Sequence, residues 1–195
     1  MNVVPLSIPE VLRIEPRVFS DSRGEFFESF NRRDFQRATG LAPRFVQENH
    51  SVSGKNVLRG LHYQIRQAQG KLIRVVAGAV FDVAVDIRRG SPTFGCWTAE
   101  RLTATERRQL WIPPGFAHGF LALSDRTELV YLSTAYWAPE HERCLCWDDP
   151  RLAIDWPQRE GLILSAKDRQ GQNLADAELP RFRPPIKRSA RIASC

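Results

Sequence analysis

The chain has 195 residues, 43% hydrophobic and 26% charged, which is ordinary for one globular domain with a core of its own. No apolar run approaches the roughly 20 residues of a membrane helix, and the N-terminus lacks the basic start and apolar core of a signal peptide; a cytoplasmic protein without a membrane partner is expected. The formal charge of +6 says little about the body, because residues 181–195 hold five basic side chains and no acid; the nearly neutral remainder does not read as a nucleic-acid binder.

In chain order, residues 11–14 predict a first strand, ended by Pro16. Asp21-Ser-Arg-Gly24 reads as a turn, and residues 25–30 alternate as a strand does. Residues 32–39 make the best helix, closed by Gly40. Residues 45–53 alternate again and set Gln47, Asn49 and Ser51 on one face. That face either lines a polar cavity or belongs to an edge strand facing water.

Residues 56–71, NVLRGLHYQIRQAQGK, crowd Arg59, His62, Gln64 and Lys71 together. Counting in twos, Arg59 and His62 fall on opposite faces. Both reach one site only if a bulge or a strand end lies near Gly60. Residues 72–87 are the most strand-like part, split by Gly78 into 72–76 and 79–87. In the second half Ala79, Phe81, Val83, Val85 and Ile87 share an apolar face, and Asp82 and Asp86 lie on the other, which suggests a polar interior. Shorter strands are expected at 93–98, 101–103, 109–112, 128–134 and 143–147, with a turn at 113–115 leading into a strand that carries His118 near its start. From Ile163 the chain reads as loop, and residues 181–195 as a basic tail after a single domain, 1–180. Many short strands with Gly/Pro turns and one convincing helix predict an all-β sandwich or barrel.

The four cysteines, Cys96, Cys144, Cys146 and Cys195, lack zinc-site spacing and read as free thiols. A metal-binding barrel strand commonly offers His-x-His, but here the chain has His62-Tyr63-Gln64, so no metal is expected. There is no nucleophile elbow and no Gly-rich phosphate loop. Acid–base chemistry remains. His62 suits a general base, Asp168 or Asp82 could hold its ring, Tyr131 is a weak acid, and Lys71 could stabilise an enolate by charge.

The segments FSDSRGEFFESF, FVQENHSVSGKNVLRGLHYQ, QGKLIRVVAGAVFDVAVDIRRGSPTFG, WIPPGFAHGF and YLSTAYWAPEHERCLCWDDP, with IDWP and SAKD following, make the chain resemble the dTDP-4-dehydrorhamnose 3,5-epimerase family over about residues 14–174. The resemblance implies a cupin-type jelly-roll barrel, a homodimer, no cofactor, and a dTDP-sugar substrate, dTDP-4-dehydro-6-deoxy-D-glucose, inverted at C3 and C5. It makes His62 the base, Asp168 its partner, Tyr131 the acid on the opposite face, and puts Lys71 and His118 near the developing enolate or sugar. Arg23 and Arg59 match nucleotide-sugar contacts, aimed at the pyrophosphate. Glu28, Gln47, Asn49, Glu142 and Lys167 match further binding positions. Phe19 and the pair Tyr136 and Trp137 stand where aromatics flank the thymine, with either of the pair as the stacking partner. Two other readings compete: an epimerase acting at C3 or C5 alone, and a non-catalytic cupin that binds sugar nucleotides.

Overall fold

The computed structural model describes residues 1–182. Its strands are β1 (Asn2–Pro5), β2 (Leu12–Glu15), β3 (Val18–Asp21), β4 (Gly24–Phe27), β5 (Gln47–Ser53), β6 (Leu58–Gln64) and β7 (Lys71–Ala77). They continue with β8 (Ala79–Asp86), β9 (Trp97–Thr103), β10 (Gln109–Ile112), β11 (Phe116–Ala122), β12 (Thr127–Ser133) and β13 (Glu142–Cys144). Two helices, α1 (Arg32–Thr39) and α2 (Ala166–Arg169), are short. A six-stranded sheet, β1-β2-β10-β7-β12-β5, faces a five-stranded one, β13-β6-β11-β8-β9, and every ladder is antiparallel. This is the expected all-β jelly roll. The hairpin β3-β4 stands apart as a two-stranded sheet. None of the helices among the described residues is long and apolar enough to cross a membrane.

Alternation along each strand sorts the side chains into three layers. Between the sheets, Ile73, Val75, Leu110, Ile112 and Leu129 pack on Val80, Ala84, Leu102, Phe116 and Phe120. Outside the five-stranded sheet, Leu58, Leu61, Val83, Val85 and Leu121 are covered by Leu145, Leu152, Ile154, Trp156 and Leu174 of the C-terminal segment. Outside the six-stranded sheet, Phe35 of α1 closes over Ile14, Leu72 and Trp111. Helix α1 forms where expected, because Asn31 caps its first N–H groups and Gly40 adopts the left-handed conformation that ends it.

Of the bulge or strand end expected near Gly60, the structure has the bulge. On β11, His118 pairs with His62 and Phe120 with Arg59, so β6 spends one more residue than its partner over that interval. The extra residue turns Arg59 and His62 to the same, inner side while Leu58 and Leu61 stay on the outer apolar face. Gly60 permits it with φ of +113°, and its α-carbon lies so close to β11 that an added Cβ would stand 2.6 Å from both Gly119 Cα and His118 O.

Four expectations differ in detail. Strand β1 lacks a sequence signal because it is four residues ending in Pro5, tolerable at a sheet edge. Residues 93–96 form a turn rather than a strand, since the hydroxyls of Ser91 and Thr93 bond the Asp86 carboxylate and draw the chain away from a ladder. Residues 166–169, expected as loop, make α2, capped by the Ser165 hydroxyl. At the first two residues of the tail expected from 181, Arg181 bridges to Arg89, the Phe182 N–H donates to the Arg89 carbonyl at 2.9 Å, and the Phe182 ring lies 5.1 Å from the Arg88 guanidinium carbon. The remainder of that expected tail, 183–195, lies outside the described residues.

Gly60→Ala should cost about 1–3 kcal/mol of stability by overpacking against β11. An unchanged denaturant midpoint would show that the bulge is not closely packed.

Candidate active site

At one end of the inter-sheet space the apolar core gives way to polar side chains. Lys71 continues the inward row of Ile73 and Val75, Tyr131 that of Leu129, Asp82 that of Val80 and Ala84, and His118 that of Phe116 and Phe120. Two cavities meet there. The outer, about 280 Å³, is lined by Gln47, Asn49, Gln64, Gln69, Trp137 and Glu142 among others. The inner, about 160 Å³, is lined by Ser51, Arg59, His118 and Phe120. His62, Lys71 and Tyr131 line both.

His62 sits on β6, and its Nε2 lies 2.5 Å from Asp168 Oδ1. Asp168 is 3% exposed on α2, where the Ser165 hydroxyl accepts its backbone N–H and donates to its Oδ2 at 2.8 Å. Burial works against ionising Asp168, but hydrogen bonds from His62, Ser165 and the Gly60 backbone hold its carboxyl below the usual range. An ionised carboxylate only accepts, so His62 must carry its proton on Nε2. The lone pair is then on Nδ1, and that nitrogen is the one able to take a proton.

A second pair lies behind the first. His118 Nε2 is 3.0 Å from one oxygen of Asp82 and 3.1 Å from the other, and Asp82 is completely buried. Of the two acids the sequence offered to His62, Asp168 takes that place and Asp82 serves His118. Burial pushes the His118 imidazole below its ordinary value, against the pull of Asp82, which leaves a neutral ring donating to a carboxylate. Lys71 is 8% exposed. Burial lowers its ammonium to about 8, although Asp82 and Glu142 favour the charge. Burial also raises the Tyr131 phenol, so it keeps its proton and remains a donor.

The rim is tied by side chains. Glu142 bonds Lys167 at 2.5 Å and accepts the Trp137 indole N–H at 3.1 Å. Burial resists ionisation there too, and the bonds from Lys167 and Trp137 overcome it. Gln47 Oε1 accepts the Trp137 backbone N–H, and Gln47 Nε2 donates to Asn49. The polar face of β5 thus satisfies both alternatives at once: it is an edge strand, and it lines the cavity. Arg59 donates to the Ser53 hydroxyl and the Val52 carbonyl.

Not every expected residue arrives. Phe19 and Arg23 lie on the β3-β4 hairpin, and Glu28 follows it; none lines either cavity around His62. Arg23 is spread in solvent beside Asp21 at 2.6 Å. Of the aromatic pair, Trp137 lines the outer cavity, whereas Tyr136 is 64% exposed. Sequence reasoning passed over Gln69 and Ser165, and noted Gln64 without giving it a role. Gln64 donates to the carbonyls of Gln67 and Tyr136 and accepts from Ala138, and Gln69 donates to the Ala135 carbonyl; together they hold the loop that carries Trp137. The readable signal for Ser165 was Ser-Ala-Lys-Asp, a helix-capping pattern. Cys144 is His62's cross-strand partner, 3.8 Å from Asp168 Oδ1, and burial with that carboxylate pushes its thiol up to about 12.

The arrangement is an imidazole held by a buried carboxylate, with a lysine amine and a phenol on the facing sheet. The family described as dTDP-4-dehydrorhamnose 3,5-epimerase matches residues 5–176. The dTDP-4-dehydrorhamnose 3,5-epimerase of Pseudomonas aeruginosa is 61% identical over 178 residues, 91% of this chain and 98% of that one. A Legionella pneumophila epimerase, solved in complex with dTDP-4-keto-L-rhamnose, superposes with a TM-score of 0.91 at 49% identity, covering 93% of this chain and 98% of its own. ChmJ, a 3'-monoepimerase from Streptomyces bikiniensis in complex with dTDP-quinovose, has a TM-score of 0.85 at 38% identity, covering 93% of both chains. Identity at this level along nearly the whole folded body shows that the chain belongs to the dTDP-4-dehydrorhamnose 3,5-epimerase family.

Proposed function

We propose that this protein converts dTDP-4-dehydro-6-deoxy-D-glucose to dTDP-4-dehydro-6-deoxy-L-mannose by inverting C3 and C5. The observation that carries the reading is that His62, Lys71 and Tyr131 line the same two joined cavities, with Asp168 bonded to His62. The C4 ketone acidifies the hydrogens on C3 and C5. His62 takes one through Nδ1 and becomes an imidazolium that Asp168 stabilises. The electron pair moves onto the C4 oxygen, and the Lys71 ammonium offsets the enolate charge. Tyr131 then returns a proton and is reprotonated from solvent. His62 stands on the five-stranded sheet and Tyr131 on the six-stranded one, so abstraction and return come from opposite walls, which is what inversion needs. No step calls on a cofactor.

His118, Gln47, Asn49, Arg59, Glu142 and Lys167 are assigned to holding the nucleotide sugar, with Arg59 at the pyrophosphate and Trp137 as the aromatic beside the thymine. Phe19, Arg23 and Glu28 keep the same assignment if a second chain brings them. A homodimer whose hairpin reaches the partner's cavity accounts for binding residues that stand exposed and outside their own chain's site. The free thiols Cys96, Cys144 and Cys146 favour the reducing cytoplasm.

Proton NMR in deuterated water with the 4-keto sugar nucleotide tests the reaction. Exchange at both C3 and C5 is expected. Exchange at one carbon would make this a monoepimerase, and none would make it a binding protein. Tyr131→Phe should still wash deuterium into the substrate but accumulate little doubly inverted product; a normal yield would remove Tyr131 from the mechanism.

The pH profile tests Lys71. Only the ammonium offsets an enolate charge, so kcat/KM should fall as pH rises through about 8. A fall that begins only near 10.5, the ordinary lysine value, would contradict the role.

Complementation tests the dimer. Arg23→Ala and His62→Ala chains, each weakly active alone, should recover activity when unfolded and refolded together. With the hairpin acting in trans, a mixed dimer holds one intact site. No recovery would place Arg23 in its own chain's site or outside the mechanism.

A further inference from the structure

Cys144 has no part in the reaction above, yet it lies against its centre. β13 pairs with β6 so that Cys144 and His62 are direct cross-strand neighbours. Side chains at such positions leave the sheet on the same face, a few ångströms apart. Asp168 comes to the pair from α2. The ligand-type atoms of His62, Cys144 and Asp168 all lie within 4.8 Å of one another. Cys144 Sγ is 3.8 Å from Asp168 Oδ1, and His62 Nε2 is 2.5 Å from the same oxygen.

These distances suit a metal ion. With bonds of about 2.3 Å to sulfur and about 2.0–2.2 Å to nitrogen and oxygen, tetrahedral donors stand roughly 3.3–3.6 Å apart. The sulfur–oxygen pair is close to that already. The nitrogen–oxygen pair must open by about 1 Å, which a turn of the partly exposed His62 ring supplies. A thiol, an imidazole and one carboxylate select borderline or soft divalent cations over magnesium or calcium. Among the described residues no other three such side chains come together in this way.

We propose that His62, Cys144 and Asp168 form an inhibitory site for a soft divalent cation of the zinc class. Binding displaces the Cys144 thiol proton to solvent and joins sulfur to the metal. The Nε2 proton of His62 is exchanged for the metal, and the ring takes up a proton on Nδ1. The imidazole stays neutral, but the lone pair that would receive the substrate's proton is gone. The cation is therefore an inhibitor and not a cofactor.

The binding stands on its own; the inhibition rests on His62 as the base, and two readouts separate them. Titration of the full-length protein with Cd2+ should raise a thiolate-to-metal absorbance band, and Zn2+ should suppress turnover in a way a chelator reverses. Cys144→Ser, which keeps Cys96 and Cys146, should lose the band, keep its turnover, and need about 10–100-fold more Zn2+ for the same inhibition. No band, or a band and inhibition unchanged in Cys144→Ser, would overturn the site. A Cys144-dependent band with undiminished turnover would support the site and count against His62 as the base.

Discussion

The bond between His62 and Asp168 joins residues 106 apart in sequence, and the site depends on it. One partner is on a strand in the middle of the fold and the other on a helix of four residues near its end. Ser165 caps α2, and backbone bonds from Gln172 to Cys144 and Cys146 tie its far end to the chain after β13. The segment on either side of it is also anchored by packing, its Leu145, Leu152, Ile154, Trp156 and Leu174 covering the outer face of the five-stranded sheet. Hydrophobic burial on the outside of the barrel thus helps to set a hydrogen bond on the inside. That bond chooses the histidine tautomer, and the tautomer chooses which nitrogen is basic.

The same barrel carries a buried charge cluster that an apolar core would avoid. Asp82 and Lys71 are nearly inaccessible, and His118 lies with them. Unpaired, a buried carboxylate is strongly destabilising; with a hydrogen-bond donor and a cation nearby the cost is offset. The burden shows in Lys71, whose ammonium is held only to about 8. A cation kept short of water is also one that interacts strongly with a charge forming beside it. Stability given up at this end of the interior is offset along the rest of it, where Ile73, Val75, Leu110 and Leu129 pack in a buried apolar cluster.

Much of this was legible in the sequence where the signal was local. Helix α1 and strand β10 fall at the expected residues because a cap, a terminal glycine and a short apolar run are self-contained messages. The conflict between Arg59 and His62 on an ideal strand foretold a bulge or a strand end near Gly60, and the bulge is what forms. The polar face of β5 and Asp82 of β8 foretold a polar interior, whereas Asp86 is bonded to Arg88, Ser91 and Thr93 and lines neither cavity. Pairings across the chain were not legible. From residue types alone Asp82 and Asp168 were both candidates for His62; the resemblance chose Asp168, and the register of β8 against β11 gives Asp82 to His118. The family resemblance named Phe19, Arg23 and Glu28 together with the cavity residues, but a resemblance carries no information about which chain supplies them.

Nitrogen NMR of the protein with ring-labelled histidine tests the central claim, that the Asp168 carboxylate holds neutral His62 with its proton on Nε2 and its lone pair on Nδ1. The account predicts that His62 is the Nε2–H tautomer in the wild-type protein and that this preference is lost in Asp168→Ala. A His62 found with its proton on Nδ1, or one whose tautomer is indifferent to Asp168, would contradict it.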